Sequence, residues 1–241
     1  MRIGDAWGEM MLAALAGEDA IEIVERDDGL IMAGRLGIPS YLAPFRRWPA
    51  RQRQATRLVR GRVLDVGSGA GRVALHLESR GHEVVSIDSS AGAVEVARRR
   101  GARDARLLRL EQMSPRLGTF DTVVLFGNNL GLLGGRDHGR RVLRRLARVT
   151  NPGARLLGET LDPYTTENPL HLGYHARNRR RGRMGGQVRL RIRFNDLATP
   201  WFDYLFASRH ELEELVDGTG WKLVETIDDE TPQYVAVLER R

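Results

Sequence analysis

Val63-Leu64-Asp65-Val66-Gly67-Ser68-Gly69-Ala70-Gly71 is the stretch on which the reading of this 241-residue chain turns. A short apolar run ends in an acid, three glycines alternate with small residues, and apolar positions at helical spacing (Val73, Ala74, Leu77) follow. The pattern predicts a buried strand that turns sharply into a helix. Glycines in such a turn permit positive φ and close approach of a ligand to bare backbone, and the helix N-terminus offers unpaired N–H groups to a negative group. Spacing narrows the ligand. Gly67 and Gly69 fit the first two places of the dinucleotide fingerprint G-x-G-x-x-G/A, but the third, which must be small to pack helix on sheet, is Arg72. The phosphate loop G-x-x-x-x-G-K-[ST] is absent too, since the only lysine in the chain is Lys222.

Downstream, Glu83 to Asp88 reads as a second strand with an acid at its tip, where a β-α-β unit can hold both hydroxyls of a ribose. Ser89 and Ser90 follow it as candidate caps for the next helix. Ala105 to Leu110 reads as a third strand, and Phe120 to Phe126 as a fourth that runs into Gly127-Asn128-Asn129-Leu130-Gly131. Arg136 to Val149 has helical spacing, Asn151-Pro152-Gly153 breaks it, and Ala154 to Leu161 is a fifth strand. Near the end, Ser208 with Glu211 makes a capping box for a helix over 208–218, and Trp221 to Ile227 and Gln233 to Glu239 are closing strands.

The D-x-G-x-G-x-G loop, Asp88 at its distance from the loop, the Phe120-Asp121 strand and the Asn151-Pro152-Gly153 turn together resemble the class I S-adenosylmethionine-dependent methyltransferases. The resemblance covers roughly residues 60 to 160 and the last strands. It implies an α/β fold: a Rossmann-like, doubly wound, mostly parallel seven-stranded sheet with an antiparallel last strand. It implies S-adenosylmethionine as cofactor and S-adenosylhomocysteine as product. By position it assigns cofactor binding to Asp65, Gly67, Ser68, Gly69 and Gly71 of the loop, to Asp88 and Ser89, and to Asn128 after the fourth strand. Glu111 or Gln112 would hold the adenine amino group, and Met113 would flank its ring. Asn128 is similar to the first residue of the N/D-P-P-Y/F motif of amine-methylating enzymes, but the prolines and the aromatic are missing, which withdraws support for base or glutamine-amide methylation.

On this reading 1–241 is a single methyltransferase domain. Residues 1–60 form an N-terminal helical cap or lid, 61–161 and 208–241 the core, and 162–207 a β-rich insertion after the fifth strand. An insertion at the carboxyl end of a parallel sheet is expected to cover the acceptor pocket or to form a homodimer interface. The pocket is expected to draw on Tyr41, Trp48, Asn129, Tyr164 and Arg191.

The formal net charge is +7, but acids are interspersed and nearly all the cations are arginine, so neither nucleic acid nor a membrane is expected as partner. A local cluster, Arg177 to Arg183, precedes Val188-Arg189-Leu190-Arg191-Ile192-Arg193-Phe194, where period two puts three arginines on one strand face. A solvated outer face is one reading; an anion-binding site is the other. The absence of cysteine, of a long apolar run and of a signal-like N-terminus leads to the expectation of a cytoplasmic bacterial enzyme.

Methyl transfer from a sulfonium needs a positioned nucleophile and excluded water, and a base only where the acceptor arrives protonated. Glu159, His171, His175 and Tyr204 are the candidate catalytic residues. His171 and His175 stand one helical turn apart with no third ligand at recognisable spacing, so no metal is expected. A small-molecule acceptor methylated on O, N or C is the first expectation. An RNA or protein methyltransferase docking through residues 177–193, and a non-catalytic S-adenosylmethionine-binding protein, are the alternatives.

Overall fold

A computed structural model describes residues 1–34 and 37–241. In chain order its elements are β1 (Arg2–Ile3), α1 (Ala6–Leu15), β2 (Glu22–Arg26), β3 (Ile31–Gly34), α2 (Ile38–Tyr41), α3 (Ala50–Ala55), β4 (Val63–Val66), α4 (Arg72–Ser79), β5 (Val84–Asp88), α5 (Ala91–Arg99), β6 (Ala105–Leu107), β7 (Phe120–Leu125), α6 (Arg136–Arg148), β8 (Thr150–Leu161), α7 (Pro169–Arg180), β9 (Gln187–Phe194), β10 (Leu197–Ala198), β11 (Phe202–Leu205), α8 (Arg209–Val216), β12 (Trp221–Asp228) and β13 (Gln233–Arg240). Seven strands make one sheet in the order β12-β13-β8-β7-β4-β5-β6. The pairs β4·β5, β5·β6 and β7·β8 are parallel, and β13 runs antiparallel to both neighbours. Strands β4, β5 and β7 are almost wholly buried. That burial is why they read as near-continuous apolar runs instead of alternating ones.

The chain forms two compact units. The first comprises Met1–Trp48, Arg62–Gln112 and Arg189–Phe202. In it α1 and α5 meet backbone to backbone. A Cβ on Gly92 would lie 2.6 Å from the Gly8 Cα, and one on Gly8 would lie 2.7 Å from the Gly92 Cα, so only glycine fits either position. Met10, Met11, Ile38 and Val96 bury a core there together with Ala70 of the glycine loop. Five strands in the order β1-β10-β9-β2-β3 build a second sheet, in which β9 is antiparallel to β2 and β10, and β11 also pairs β9. The expectation of a helical N-terminal cap is therefore incomplete. Residues 22–34 form a hairpin whose first strand pairs with residues 190–193. So remote a partner leaves no local trace in five residues of mixed polarity.

The second unit comprises Pro49–Gly61, Met113–Val188 and Asp203–Arg241. Trp221 is buried, and its indole N–H donates to the Leu143 carbonyl at 2.9 Å. The Ser208–Glu211 capping box forms as its spacing predicts. Residues 162–207 prove β-rich only in their second half. Asn168 caps α7 and Pro169 opens it, its missing N–H costing nothing in the first turn.

Candidate functional site

The glycine loop follows β4 as the sequence predicts. Gly67, Gly69 and Gly71 all have positive φ (67°, 51° and 73°). The three serve different ends. Gly67 and Ser68 donate their N–H groups to the Ile87 carbonyl at 2.9 and 3.1 Å, tying the loop to β5. Gly71 begins α4, and a Cβ there would press on Ala97 of α5 at 2.9 Å. A Cβ on Gly69 would meet nothing within 4 Å, so this glycine faces open space, as a ligand cradle requires.

Asp88, at the tip of β5, closes this loop. Its Oδ2 accepts the Gly69 N–H at 2.8 Å and its Oδ1 the Ser90 N–H at 2.9 Å. Burial raises its pKa, and the hydrogen bonds from Ser90 and Gly69 oppose that rise. Asp65 is 2 % exposed and its Oδ2 has no hydrogen-bond partner; burial pushes its carboxyl up to about 7, against the pull of Arg72. The Ser68 hydroxyl is likewise buried without a partner. Buried polar atoms are almost always satisfied, so two unpartnered acceptors near an open glycine suit a ligand cradle. Hydroxyls and an ammonium group, such as a nucleoside amino acid carries, suit these acceptors.

The other residues expected around the cofactor stand differently. Ser89 is exposed and Ser90, not Ser89, caps α5. The third strand stops at Leu107, and Leu110–Gln112 is a 3-10 turn with Glu111 and Gln112 exposed. The Gln112 side chain accepts the Arg109 N–H at 3.0 Å and so caps its own turn. Met113 is buried.

Trp48, Tyr41, Tyr164 and Arg191, expected in the acceptor pocket, are engaged within the fold. Trp48 is 2 % exposed: the Arg72 guanidinium lies 4.4 Å from its ring centre, and its indole donates to Ala43. Together with Phe45, stacked on His76 at 3.8 Å, it fastens the proline-rich segment to α4. A pocket wall is therefore the wrong reading of Trp48; so large an apolar side chain gains more by full burial. The Tyr41 hydroxyl donates to the buried Glu22 carboxylate at 3.1 Å. Tyr164 donates to Glu211 at 2.6 Å, and burial with that neighbouring charge pushes its hydroxyl up to about 12. Arg191 closes its fork on Glu25 at 2.9 and 3.1 Å and lies over Trp201, so the fold itself uses the guanidinium expected in the acceptor pocket. Asn129 opens a 3-10 turn, Asn129–Leu133.

In the second unit the turn after β7 is built around Glu159 of β8. Glu159 is 1 % exposed and accepts four hydrogen bonds: Arg51 Nε on Oε1 at 2.6 Å, and Gln52 Nε2, Gly127 N and Asn128 N on Oε2 at 2.7, 2.6 and 3.2 Å. Arg51 in turn holds Asp229 at 2.8 Å and Thr231 at 3.0 Å. A carboxylate so saturated is a clamp, which corrects its reading as a general base. Gly127 and Asn128 both have positive φ, and the Tyr204 hydroxyl donates to the Asn128 carbonyl at 2.5 Å. Burial and the Glu159 charge drive the Tyr204 pKa far up, so it stays protonated and cannot accept a proton. The Asn128 Oδ1 is buried without a partner.

On α7, His175 is buried edge-on to the Tyr164 ring, and His171 is partly exposed a turn earlier. Among the described residues no group of three or more metal-ligating side chains gathers. The arginine cluster is partly spent in the fold: Arg177 lies over Tyr174, Arg179 over Tyr164, and Arg183 pairs with Asp203 at 2.9 Å. Sequence reasoning missed Arg51 and Gln52, which carry no motif, and Asp5. An acid just before an amphipathic helix is a capping signal that points to Asp5.

A parallel α/β sheet, a glycine turn with an open central glycine and an acid hydrogen-bonded across it define a nucleoside-binding protein of the Rossmann-like class. Comparison with known proteins specifies the class. Residues 63–153 match the model of a methyltransferase domain. A crystal structure of an S-adenosylmethionine-dependent methyltransferase from Bacteroides fragilis, in complex with S-adenosyl-L-homocysteine, superimposes with a TM-score of 0.82 at 25 % identity, over 98 % of this chain and 94 % of that one. A glycine/sarcosine N-methyltransferase of Halorhodospira halochloris is 24 % identical over 190 residues, 72 % of this chain and 70 % of the relative. A ubiquinone biosynthesis O-methyltransferase of Methylocella silvestris is 39 % identical over 80 residues, 31 % of each chain. The match to the Bacillus subtilis protein YqeM spans 48 % of that relative, so the chain spans half or less of the length of two of these curated relatives. The chain thus matches a methyltransferase domain over residues 63–153 and is similar in fold, over nearly its whole length, to an S-adenosylmethionine-dependent methyltransferase.

Proposed function

We propose that this protein transfers the methyl group of S-adenosylmethionine to a small-molecule acceptor and releases S-adenosylhomocysteine. The observation that carries the reading is the cradle of the first unit: Asp88 hydrogen-bonded to Gly69 and Ser90, beside the buried, partnerless Asp65 Oδ2 and Ser68 Oγ. Asp88 would accept the ribose hydroxyls and Gly69 would let the nucleoside lie on bare backbone. Asp65, whose carboxyl titrates near neutrality, would hold its charge once a cationic group lay beside it.

When bound, the cofactor supplies an electrophilic sulfonium methyl that needs no metal or acid to activate it. The chain's own task is orientation and exclusion of water. In the second unit Glu159 and Tyr204 both hold the turn at Gly127 and Asn128. Neither holder is free to act as a base, which favours an acceptor that arrives nucleophilic. A small acceptor is supported by the names of the ubiquinone and glycine/sarcosine relatives. Internal pairing of Arg183, Arg191 and Arg193 argues against a polymer docking face.

Thermal unfolding with added S-adenosylhomocysteine tests the reading. Ligand at 100 times its dissociation constant stabilises by about 2.7 kcal/mol, a clear rise in Tm. The Asp88→Ala variant should lose most of that rise. A wild-type protein that responds to a dinucleotide and not to S-adenosylhomocysteine would overturn it.

A further inference from the structure

The first unit contains a carboxylate that no part of the proposed chemistry uses. Asp5 precedes α1 and caps it, its Oδ1 accepting the Gly8 N–H at 2.9 Å. Its other oxygen turns away from α1 to the start of α5, where Oδ2 accepts both the Ser90 hydroxyl and the Gly92 N–H, each at 2.9 Å. One side chain thus satisfies donors at the first turns of two helices 85 residues apart in the chain. Because Ser90 Oγ gives its proton to Asp5, its lone pairs are free to accept the Ala93 N–H at 3.0 Å and complete the cap of α5. The Ser90 backbone N–H donates to Asp88 Oδ1 at 2.9 Å, and Asp88 Oδ2 holds Gly69. A relay of hydrogen bonds runs from Asp5 through Ser90 and Asp88 to Gly69, which faces open space.

Two contacts make the relay stiff. The helices it joins touch through Gly8 and Gly92 with no side chain between them, so neither can shift without opening that contact. Ala70, next to Gly69, is buried in the core shared with Met10, Met11 and Val96, and Arg100 hydrogen-bonds both the Ala70 and the Leu42 carbonyls.

We infer that Asp5 is a positioning residue for the cofactor: by fixing Ser90 it sets the orientation in which Asp88 presents its carboxylate to the ribose. The inference rests on the proposed reading of Asp88 and goes beyond it, since Asp5 acts on Asp88 through Ser90.

Two variants separate this role from simple helix capping. Asp5→Ser keeps a good N-cap for α1 but is too short to reach Ser90 and Gly92. Ser90→Ala cuts the relay at its middle. S-adenosylhomocysteine affinity is measured by calorimetry on the full chain, alongside its analogue lacking the ribose 2′-hydroxyl. Wild-type protein that fails to bind S-adenosylhomocysteine overturns the cofactor reading itself. Where wild type binds, Asp5→Ser should weaken S-adenosylhomocysteine about tenfold and weaken the deoxy analogue by less than about threefold, the loss expected when one charge-assisted hydrogen bond is misplaced. In an Asp88→Ala background Asp5→Ser should change affinity by less than about twofold, because residues acting in series are not additive. An equal loss for both ligands, an undiminished loss in the Asp88→Ala background, or no loss at all would overturn the role assigned to Asp5. If Asp5→Ser does not fold, the same cycle run with Ser90→Ala and Asp88→Ala decides.

Discussion

Removal of the Glu159 carboxylate puts the deepest polar cluster of the second unit to the test. Its Oε1 takes the Arg51 Nε at 2.6 Å, and its Oε2 takes Gln52 and two backbone N–H groups of the turn at 127–128. Glu159→Ala strands all four donors in a place that is about 1 % open to solvent. The Arg51 side chain is itself only 8 % exposed, and Asp229 then neutralises it alone. Removing one partner of a buried ion pair costs about 3 to 5 kcal/mol. For a domain of this size that is a fall in Tm of roughly 6 to 20 °C. Glu159→Gln keeps the volume and one acceptor but turns an N–H₂ toward existing donors, so it should fall between wild type and alanine. Urea unfolding followed by tryptophan fluorescence and by circular dichroism gives the free energies. Adding Arg51→Met to Glu159→Leu should recover part of the loss, because the uncompensated guanidinium goes with it. A Glu159→Ala protein within about 0.5 kcal/mol of wild type would refute the clamp, since that is the scale of an ordinary surface change.

Two further outcomes follow from named atoms. The Asp65 carboxyl is raised to about 7 in the folded chain from 3.8, so the fold binds its proton more tightly than the unfolded chain does. Its contribution to stability is therefore full below about pH 4 and is lost as pH rises through 7; Asp65→Asn, compared with wild type by urea midpoints from pH 5 to 8, should remove that fall. A Cβ at Gly131 would lie 2.2 Å from the Tyr204 ring, whereas Gly173, within α7, has nothing within 4 Å. Gly131→Ala should destabilise by about 1 to 3 kcal/mol through overpacking, and Gly173→Ala should stabilise by about 0.5 to 1 kcal/mol through helix propensity; equal effects in thermal unfolding would refute the difference.

The sheet was legible because its strands are buried on both faces, which leaves apolar runs such as Val63-Leu64 and Val123-Val124-Leu125 between turn signals. The α8 capping box was legible because both its members lie within four residues. What escaped is what joins distant segments. Asp5 meets Ser90, Arg51 meets Glu159 and Tyr204 meets Asn128 across separations of 85, 108 and 76 residues. Hydrogen bonds of that span impose no period on the sequence. Trp48 misled for a related reason: an aromatic in a proline-rich segment suits a pocket wall and a buried fastening equally well until its partners, Arg72 and His76, are placed.

Asp65, Asp88 and Glu159 each end or nearly end a strand of the main sheet, and in the sequence they look alike. The structure separates them by how much of their accepting capacity the protein itself uses. Glu159 meets four donors and is spent on holding a turn. Asp88 meets the Gly69 and Ser90 N–H groups, one on each oxygen, which fixes its direction and leaves lone pairs over. Asp65 keeps an oxygen with no donor at all, at the cost of a carboxyl that titrates near neutrality. A buried acceptor left unmet is expensive in the ligand-free fold, and folding alone gives no reason to keep one. The order Glu159, Asp88, Asp65 is thus an order of increasing availability to a ligand. It puts the cofactor reading on the two acids beside the glycine loop and gives Glu159 a mechanical role.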